Sequence, residues 1–176
     1  MTTNQLTLPV GPRDHAQGGT HAIVTLVEYG DYECPHCGKA YPIIKNIQRH
    51  FGAKLNFVYR NFPLNQVHPH AELAAEVAEA AAAQNKFWEM HDSIFEHQRA
   101  LEPRDLFGYA HKLGLDVERI TLEVERRLYL PRVKEDFESG AASGVSGTPG
   151  FFINGERFTG DWSGTGLSDA ITKHIK

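Results

Sequence analysis

The residues with the most evident chemical potential form the motif Cys34-Pro35-His36-Cys37, which holds both cysteines of the chain. Two thiols separated by two residues beside a strand–helix–strand pattern are typical of reversible dithiol–disulfide chemistry. Residues three apart at the start of a helix are neighbours, so the two sulfur atoms can form a bond. A secreted protein held together by disulfides has more cysteines, spread along the chain. The motif therefore predicts a redox-active pair.

A helix that begins at this motif gives its residues different roles. The first N–H groups of a helix lack carbonyl partners, and the positive end of the dipole favours an anion. Cys34 is therefore expected to have a lowered pKa and to be the attacking nucleophile. Cys37 is expected to be the more buried, resolving thiol. Pro35 restricts the backbone between them, and a cationic His36 is expected to stabilise the Cys34 thiolate further.

Two carboxylates precede the motif and oppose this stabilisation. Asp31 and Glu33 are expected to be exposed and well screened, so that the helix dipole and His36 outweigh them. A stabilised thiolate stabilises the reduced state, which makes the disulfide more oxidising. The direction of electron flow in the cell stays open at this point.

The elements around the motif follow from hydrophobic patterns. Residues 22–28 are rich in β-branched residues and predict a buried strand. A helix is expected from Cys34 to about His50, with Pro35 at its first position. Residues 54–60 predict a second strand, which gives a βαβ unit with a right-handed crossover.

In the second part of the chain the apolar pattern becomes that of helices. Helical spacing of apolar residues continues over 68–141, and glycines and serines then mark a loop. Asn154-Gly155 between two apolar runs predicts a β-hairpin, and apolar residues over 167–175 predict a last helix. The order βαβ, several helices, ββα predicts an α/β fold with a helical insertion between its two halves.

Composition limits the classes of function. The chain has 176 residues, a net charge of −4 and 41% hydrophobic residues, which is typical of a globular domain. No concentrated basic surface indicates nucleic acid, and no long apolar run predicts a membrane span. No signal peptide is visible, so a cytoplasmic location is expected for the sequence as written, and a periplasmic or other extracytoplasmic one if a signal was removed.

Several ordered motifs together resemble the DsbA-like thiol–disulfide oxidoreductases of the thioredoxin superfamily. Residues 26–37 resemble the first strand and active-site turn of that family, including its Cys-Pro-His-Cys tetrapeptide. The resemblance extends over about residues 22–175 and includes further segments at 59–64, 68–71, 86–91 and 144–155. It implies a thioredoxin-like domain at 22–64 and 145–176 with a helical insertion at 65–144. Residues 1–21, which contain several glycines and prolines and little periodicity, are predicted to form an N-terminal extended arm or a short added strand.

The resemblance also implies roles for three further residues. Glu28 matches a buried acid that relays a proton to Cys37. Pro149 matches a cis proline that faces the disulfide, and Thr148 matches the residue whose backbone pairs with a substrate strand. The implied partners are protein thiols or disulfides and a redox-recycling protein, with no cofactor and no bound metal. The oligomeric state stays open.

Two other functions are compatible with a C-x-x-C motif. The first is a metal-binding module, because zinc commonly takes four ligands and His68 and His70 could add to Cys34 and Cys37 if the fold delivers them. The second is a glutathione-dependent transferase or isomerase on a related scaffold. Such proteins need only one active-site serine or cysteine, so the presence of both thiols argues against this alternative.

Overall fold

A computed structural model describes residues 3–176, so that the first two residues of the predicted arm lie outside the described residues. The strands are β1 (His15–Gly18), β2 (Val24–Gly30), β3 (Leu55–Asn61), β4 (Gly150–Ile153) and β5 (Glu156–Phe158). The helices are α1 (Pro35–Phe51), α2 (Ala71–Ala82), α3 (Phe87–Glu96), α4 (Pro103–Lys112), α5 (Val117–Glu125), α6 (Leu130–Ala142) and α7 (Gly166–Ile175).

The strands form one mixed sheet in the order β1-β3-β2-β4-β5. Strands β2 and β3 are parallel, with Val24 opposite Leu55 and Gly30 opposite Asn61, and the other pairs are antiparallel. Both central strands are almost continuously buried, as expected for parallel strands that are covered on two faces. Because α1 follows β2 directly, the carboxyl end of β2 leads into the cysteine motif.

The predicted α/β class and the thioredoxin-like architecture are confirmed, with small shifts at element boundaries. The strand expected at 22–28 is observed two residues later, and the helix expected from Cys34 begins at Pro35. The predicted hairpin is present, and both Asn154 and Gly155 have positive φ angles, 48° and 85°. Such angles are what a tight hairpin turn of this kind requires.

Five helices, α2 to α6, lie between β3 and β4 in the chain, within the predicted insertion. Helix α2 is rich in alanine and buried along most of its length, which allows its neighbours to pack closely. Its apolar residues join those of α1, α3 and the sheet in one core cluster. The boundaries of the insertion, 65 and 144, stay a prediction. No helix within residues 3–176 is long and apolar enough to cross a membrane.

The N-terminal segment is attached to the sheet by a buried arginine. Strand β1 pairs with β3 at the sheet edge, in line with the expectation of a short added strand. The Arg60 guanidinium is fully buried and donates to both oxygens of Asp14, at 2.8 and 2.9 Å. It also donates to the Tyr29 hydroxyl and to the carbonyls of Leu8 and Pro9. This one side chain therefore holds residues 8–14 against the strands.

Asp14→Ala is expected to destabilise the protein by about 3–5 kcal/mol, because it leaves a buried guanidinium without its counterion. Urea denaturation followed by circular dichroism measures the change. Glu89→Ala is the control, since Glu89 pairs with Lys86 where both side chains are nearly half exposed, and it should cost less than about 1 kcal/mol. Equal effects of the two substitutions would show that Arg60 does not anchor the arm.

Candidate active site

Cys34 is the N-cap residue of α1, the last residue before the helix. Its backbone is extended, with φ −68° and ψ 122°, and its carbonyl accepts the first helical hydrogen bond from Gly38 at 3.0 Å. Pro35 at the first helical position needs no partner for a backbone N–H. The Cys34 side chain therefore lies at the end of the helix where N–H groups point outward.

The two thiols are unpaired and their environments differ. Cys37 is fully buried, whereas Cys34 keeps 4% exposure and is followed by exposed Pro35 and His36. A hydrogen bond from the Cys37 thiol, with further ones from the Thr148 side chain and the backbone N–H groups of Cys37 and His36, outweighs burial and lowers the pKa of Cys34 to about 5. Burial, followed by the interaction with Cys34 and the charge of Glu28, raises the pKa of Cys37. One thiol is thus set to ionise and the other to stay protonated.

The loop before β4 lies against the sulfur of Cys34. The Cys34 thiol donates to the Thr148 carbonyl at 3.5 Å, and the Thr148–Pro149 peptide bond is cis. The Thr148 hydroxyl oxygen is buried and has no hydrogen-bond partner among the described residues. It is therefore available to donate to a Cys34 thiolate, in agreement with the lowered pKa of Cys34.

Glu28 is buried in the middle of the sheet. It lies opposite Tyr59 of β3 and Phe151 of β4. Only 3% of the residue is exposed, so Glu28 differs from an acid near the end of a strand whose side chain reaches solvent. Burial, and then the charge of Cys34, raises the pKa of Glu28 to about 8. The carboxyl group is therefore mostly protonated at neutral pH, and the charge of its ionised form is among the causes that raise the pKa of Cys37.

Asp31 differs from its expected place in solvent, because its side chain is completely buried. One carboxylate oxygen accepts the backbone N–H groups of Glu33 and Cys34, at 2.8 and 3.1 Å. The other accepts the N–H of Leu64 and bonds Nδ1 of His68, both at 2.8 Å. The expectation of an exposed, screened Asp31 carboxylate was wrong because two of these partners, Leu64 and His68, lie in the loop between β3 and α2, which is distant in sequence.

Two more side chains hold the active-site turn. Glu33 accepts from the backbone N–H of His70 at 2.6 Å and bonds its Nδ1 at 2.8 Å. The Gln98 amide donates to the carbonyls of Tyr32 and Cys34, at 3.0 and 2.7 Å. Sequence reasoning did not identify Gln98, because it lies on an irregular connection after α3 and belongs to no motif.

The histidines near the motif have separate surroundings. The ring of His36 is exposed, and the hydrogen bonds that lower the pKa of Cys34 include its backbone N–H. The electrostatic role of its ring stays a prediction. His68 and His70, the extra ligands that a metal module would need, bond Asp31 and Glu33. Within residues 3–176, no three His, Cys, Asp or Glu side chains are grouped to hold a metal ion.

Several solved structures share this arrangement of elements. Oxidised BdbD from Bacillus subtilis superposes with a TM-score of 0.82 at 23% identity, covering 92% of each chain. A thioredoxin-like oxidoreductase from Silicibacter pomeroyi gives 0.83 at 24% identity, covering 94% of each chain. Wolbachia pipientis alpha-DsbA1 gives 0.81 at 19% identity, covering 98% of this chain and 95% of the other. These likenesses establish a shared fold.

Curated relatives at higher identity are much longer proteins. The chain is 47% identical over 168 residues to a protein of Salinispora arenicola named Na(+)/H(+) antiporter NhaA 1, covering 95% of this chain and 26% of that protein. A Mycobacterium sp. protein of the same name is 43% identical over 169 residues, covering 94% of this chain and 28% of that protein. The chain therefore spans about a quarter of the length of these relatives.

The match to a sequence family covers nearly the whole chain. Residues 11–173 match the profile of the family described as Thioredoxin, which includes the cysteine motif, the helices between β3 and β4, and the loop at Thr148. The fold and the two thiols at the start of α1 agree with this match. The chain belongs to the thioredoxin family and has the fold of its DsbA-like thiol–disulfide oxidoreductases.

Proposed function

We propose that this protein exchanges disulfides with protein substrates through a mixed disulfide at Cys34. The observation that carries the proposal is the pairing of a Cys34 thiol, whose pKa is lowered to about 5, with the buried thiol of Cys37 three residues later. At neutral pH the first is a thiolate able to attack or to leave, and the second is held in reserve as the resolving group.

The exchange in the oxidising direction has two steps. A substrate thiolate attacks the Cys34 sulfur of the Cys34–Cys37 disulfide, and Cys37 leaves as a thiolate that takes a proton from Glu28. A second substrate thiolate then attacks the substrate sulfur of the mixed disulfide, and Cys34 leaves as its stabilised thiolate. The substrate loses two electrons and gains a disulfide, while the protein gains both electrons. The same steps run in reverse when a substrate disulfide is reduced.

Thr148 and Pro149 form the proposed substrate-binding edge. The Thr148 carbonyl lies 3.5 Å from the Cys34 sulfur, so an extended substrate segment placed there would have its own cysteine beside Cys34. Backbone pairing of this kind gives affinity with little demand on the substrate sequence. Pro35 and His36, which follow Cys34 and are exposed, complete the proposed surface.

The longer relatives and one solved neighbour bear on where in a protein and in the cell this activity takes place. We assign thiol–disulfide exchange to the part of those proteins that this chain matches, and we do not assign antiport to it. A solved neighbour from Salmonella enterica is named as a periplasmic thioredoxin-like protein, which favours an extracytoplasmic location for an oxidising member. A separate redox partner would restore the disulfide after each turnover.

Cys37→Ser is expected to accumulate mixed disulfides at Cys34, because the thiol that would resolve them is missing. The reduced variant is incubated with an oxidised protein substrate, such as a disulfide-containing model enzyme, and covalent complexes are separated without reductant. Cys34→Ser, which keeps only the buried thiol, is the control and should form few complexes. Equal yields from both variants, or more from Cys34→Ser, would contradict the assignment of Cys34 as nucleophile.

Glu28→Gln is expected to change how stability depends on pH. The pKa of Glu28 rises from its ordinary 4.5 to about 8 on folding, so between these values the unfolded chain loses the proton that the folded one keeps. Wild-type stability therefore falls as pH rises from 4.5 to 8. Over this range the reduced Glu28→Gln variant should gain on the order of 2–4 kcal/mol relative to wild type.

Urea denaturation of the reduced proteins at several pH values measures this relative gain. Glu138→Gln, at an exposed position of α6, is the matched control and should follow the wild-type profile. Parallel wild-type and Glu28→Gln profiles would mean that Glu28 is ionised in the folded protein. Glu28 could not then supply a proton to Cys37.

A further inference from the structure

The Asp31 carboxylate lies at the centre of the turn that carries Cys34. It is fully buried and accepts the Cys34 N–H on one oxygen, while the other oxygen bonds His68. A buried negative charge so close to Cys34 opposes a thiolate there, because the two charges repel each other through a medium less polarisable than water. A cation that balances this charge therefore favours the Cys34 thiolate.

His68 lies close enough to Asp31 to balance the negative charge of its carboxylate. Its Nδ1 lies 2.8 Å from the Asp31 carboxylate, and the ring is half-buried with 18% of its side chain exposed. Within residues 3–176, His68 is the single basic side chain in ion-pair distance of Asp31. Neither side chain has a hydrogen bond to the Cys34 sulfur, and the hydrogen-bond path from His68 to Cys34 runs through the Asp31 carboxylate.

A second pair in the same turn provides an internal comparison. His70 bonds Glu33 at the same 2.8 Å and joins the same two segments of the chain. Both side chains of this second pair are more exposed than those of the first, His70 at 37% and Glu33 at 21%. Water therefore screens the Glu33 charge whether or not His70 is present. The two pairs differ mainly in burial.

We propose that His68 is a positioning residue for thiol–disulfide exchange, whose imidazolium neutralises the buried Asp31 carboxylate and thereby sets the redox poise of the Cys34–Cys37 pair. The inference rests on the proposed function. It connects the loop between β3 and α2 to the chemistry at the start of α1. Without the charge of His68, the reduced state contains two neighbouring anions with no cation between them and solvent, Asp31 and the Cys34 thiolate, and the disulfide becomes less oxidising.

His68→Asn isolates the charge, because the asparagine amide can donate from nearly the position of Nδ1 but carries no charge. We expect the ionisation constant of the Cys34 thiol to fall roughly tenfold relative to wild type. The equilibrium constant for oxidising glutathione should fall by a similar factor, which is about 30 mV for two electrons. His70→Asn should change both quantities less than twofold. Ultraviolet thiolate absorbance against pH and equilibration in glutathione buffers measure them.

Asp31→Asn provides the opposite test. It removes the negative charge but keeps an oxygen to accept the N–H groups of Glu33 and Cys34, so the thiolate should become more stable and the disulfide more oxidising. Shifts of opposite sign in Asp31→Asn and His68→Asn support charge balance. Shifts of the same sign, or no shift in His68→Asn, would overturn it and leave His68 a purely structural residue.

Two features keep this test separate from the proposed function. Circular dichroism and urea denaturation establish that each variant is folded, and His68→Asn alone decides the question if Asp31→Asn does not fold. The thiolate titration requires no exchange reaction. If the wild-type protein did not exchange with glutathione, the proposed function would fail, whereas the titration would still report whether His68 stabilises the Cys34 thiolate.

Discussion

The chemistry of this protein depends on the place of one sulfur at the end of one helix. Cys34 precedes the first turn of α1, where backbone N–H groups have no carbonyl partners within the helix. The turn before it is fixed by the Asp31 carboxylate and the Gln98 amide, which bond its N–H and carbonyl groups. A loose turn would allow the sulfur to move away from these N–H groups, and its thiolate would lose their stabilisation.

The position of Glu28 in the sheet explains why this acid can lie near the Cys34 sulfur without opposing the ionisation of the thiol. Glu28 is on the central strand β2, between β3 and β4, and is 3% exposed, so burial disfavours its charged form. Its raised pKa keeps it protonated when Cys34 is a thiolate. Asp31, only three residues later, is also buried but has four hydrogen-bond donors around it. The two neighbouring acids thus differ in their surroundings: Asp31 has hydrogen-bond donors on both oxygens, whereas burial raises the pKa of Glu28.

The sequence predicted those parts of the fold that have local signals. Runs of apolar and β-branched residues and helical apolar spacing located β2, α1 and β3 to within a few residues, and Asn154-Gly155 located the hairpin. The cysteine motif located the site. The pairing of Asp31 with His68 and the hydrogen bonds of Gln98 to the active-site turn had no such signal. The residues involved lie far apart in the chain and meet only when the segments between β3 and β4 pack against the start of α1. Predicting which charges are paired at a site of this kind therefore requires the three-dimensional structure.

The reduction potential of the Cys34–Cys37 pair is the most direct test of this account. The protein is equilibrated with glutathione buffers of graded ratio, quenched in acid, and its thiols are counted by mass after alkylation. The account predicts one reversible two-electron transition between dithiol and intramolecular disulfide, at a potential more oxidising than the roughly −270 mV of thioredoxin. A pair that stays reduced in every buffer, or a potential more reducing than that value, would contradict it.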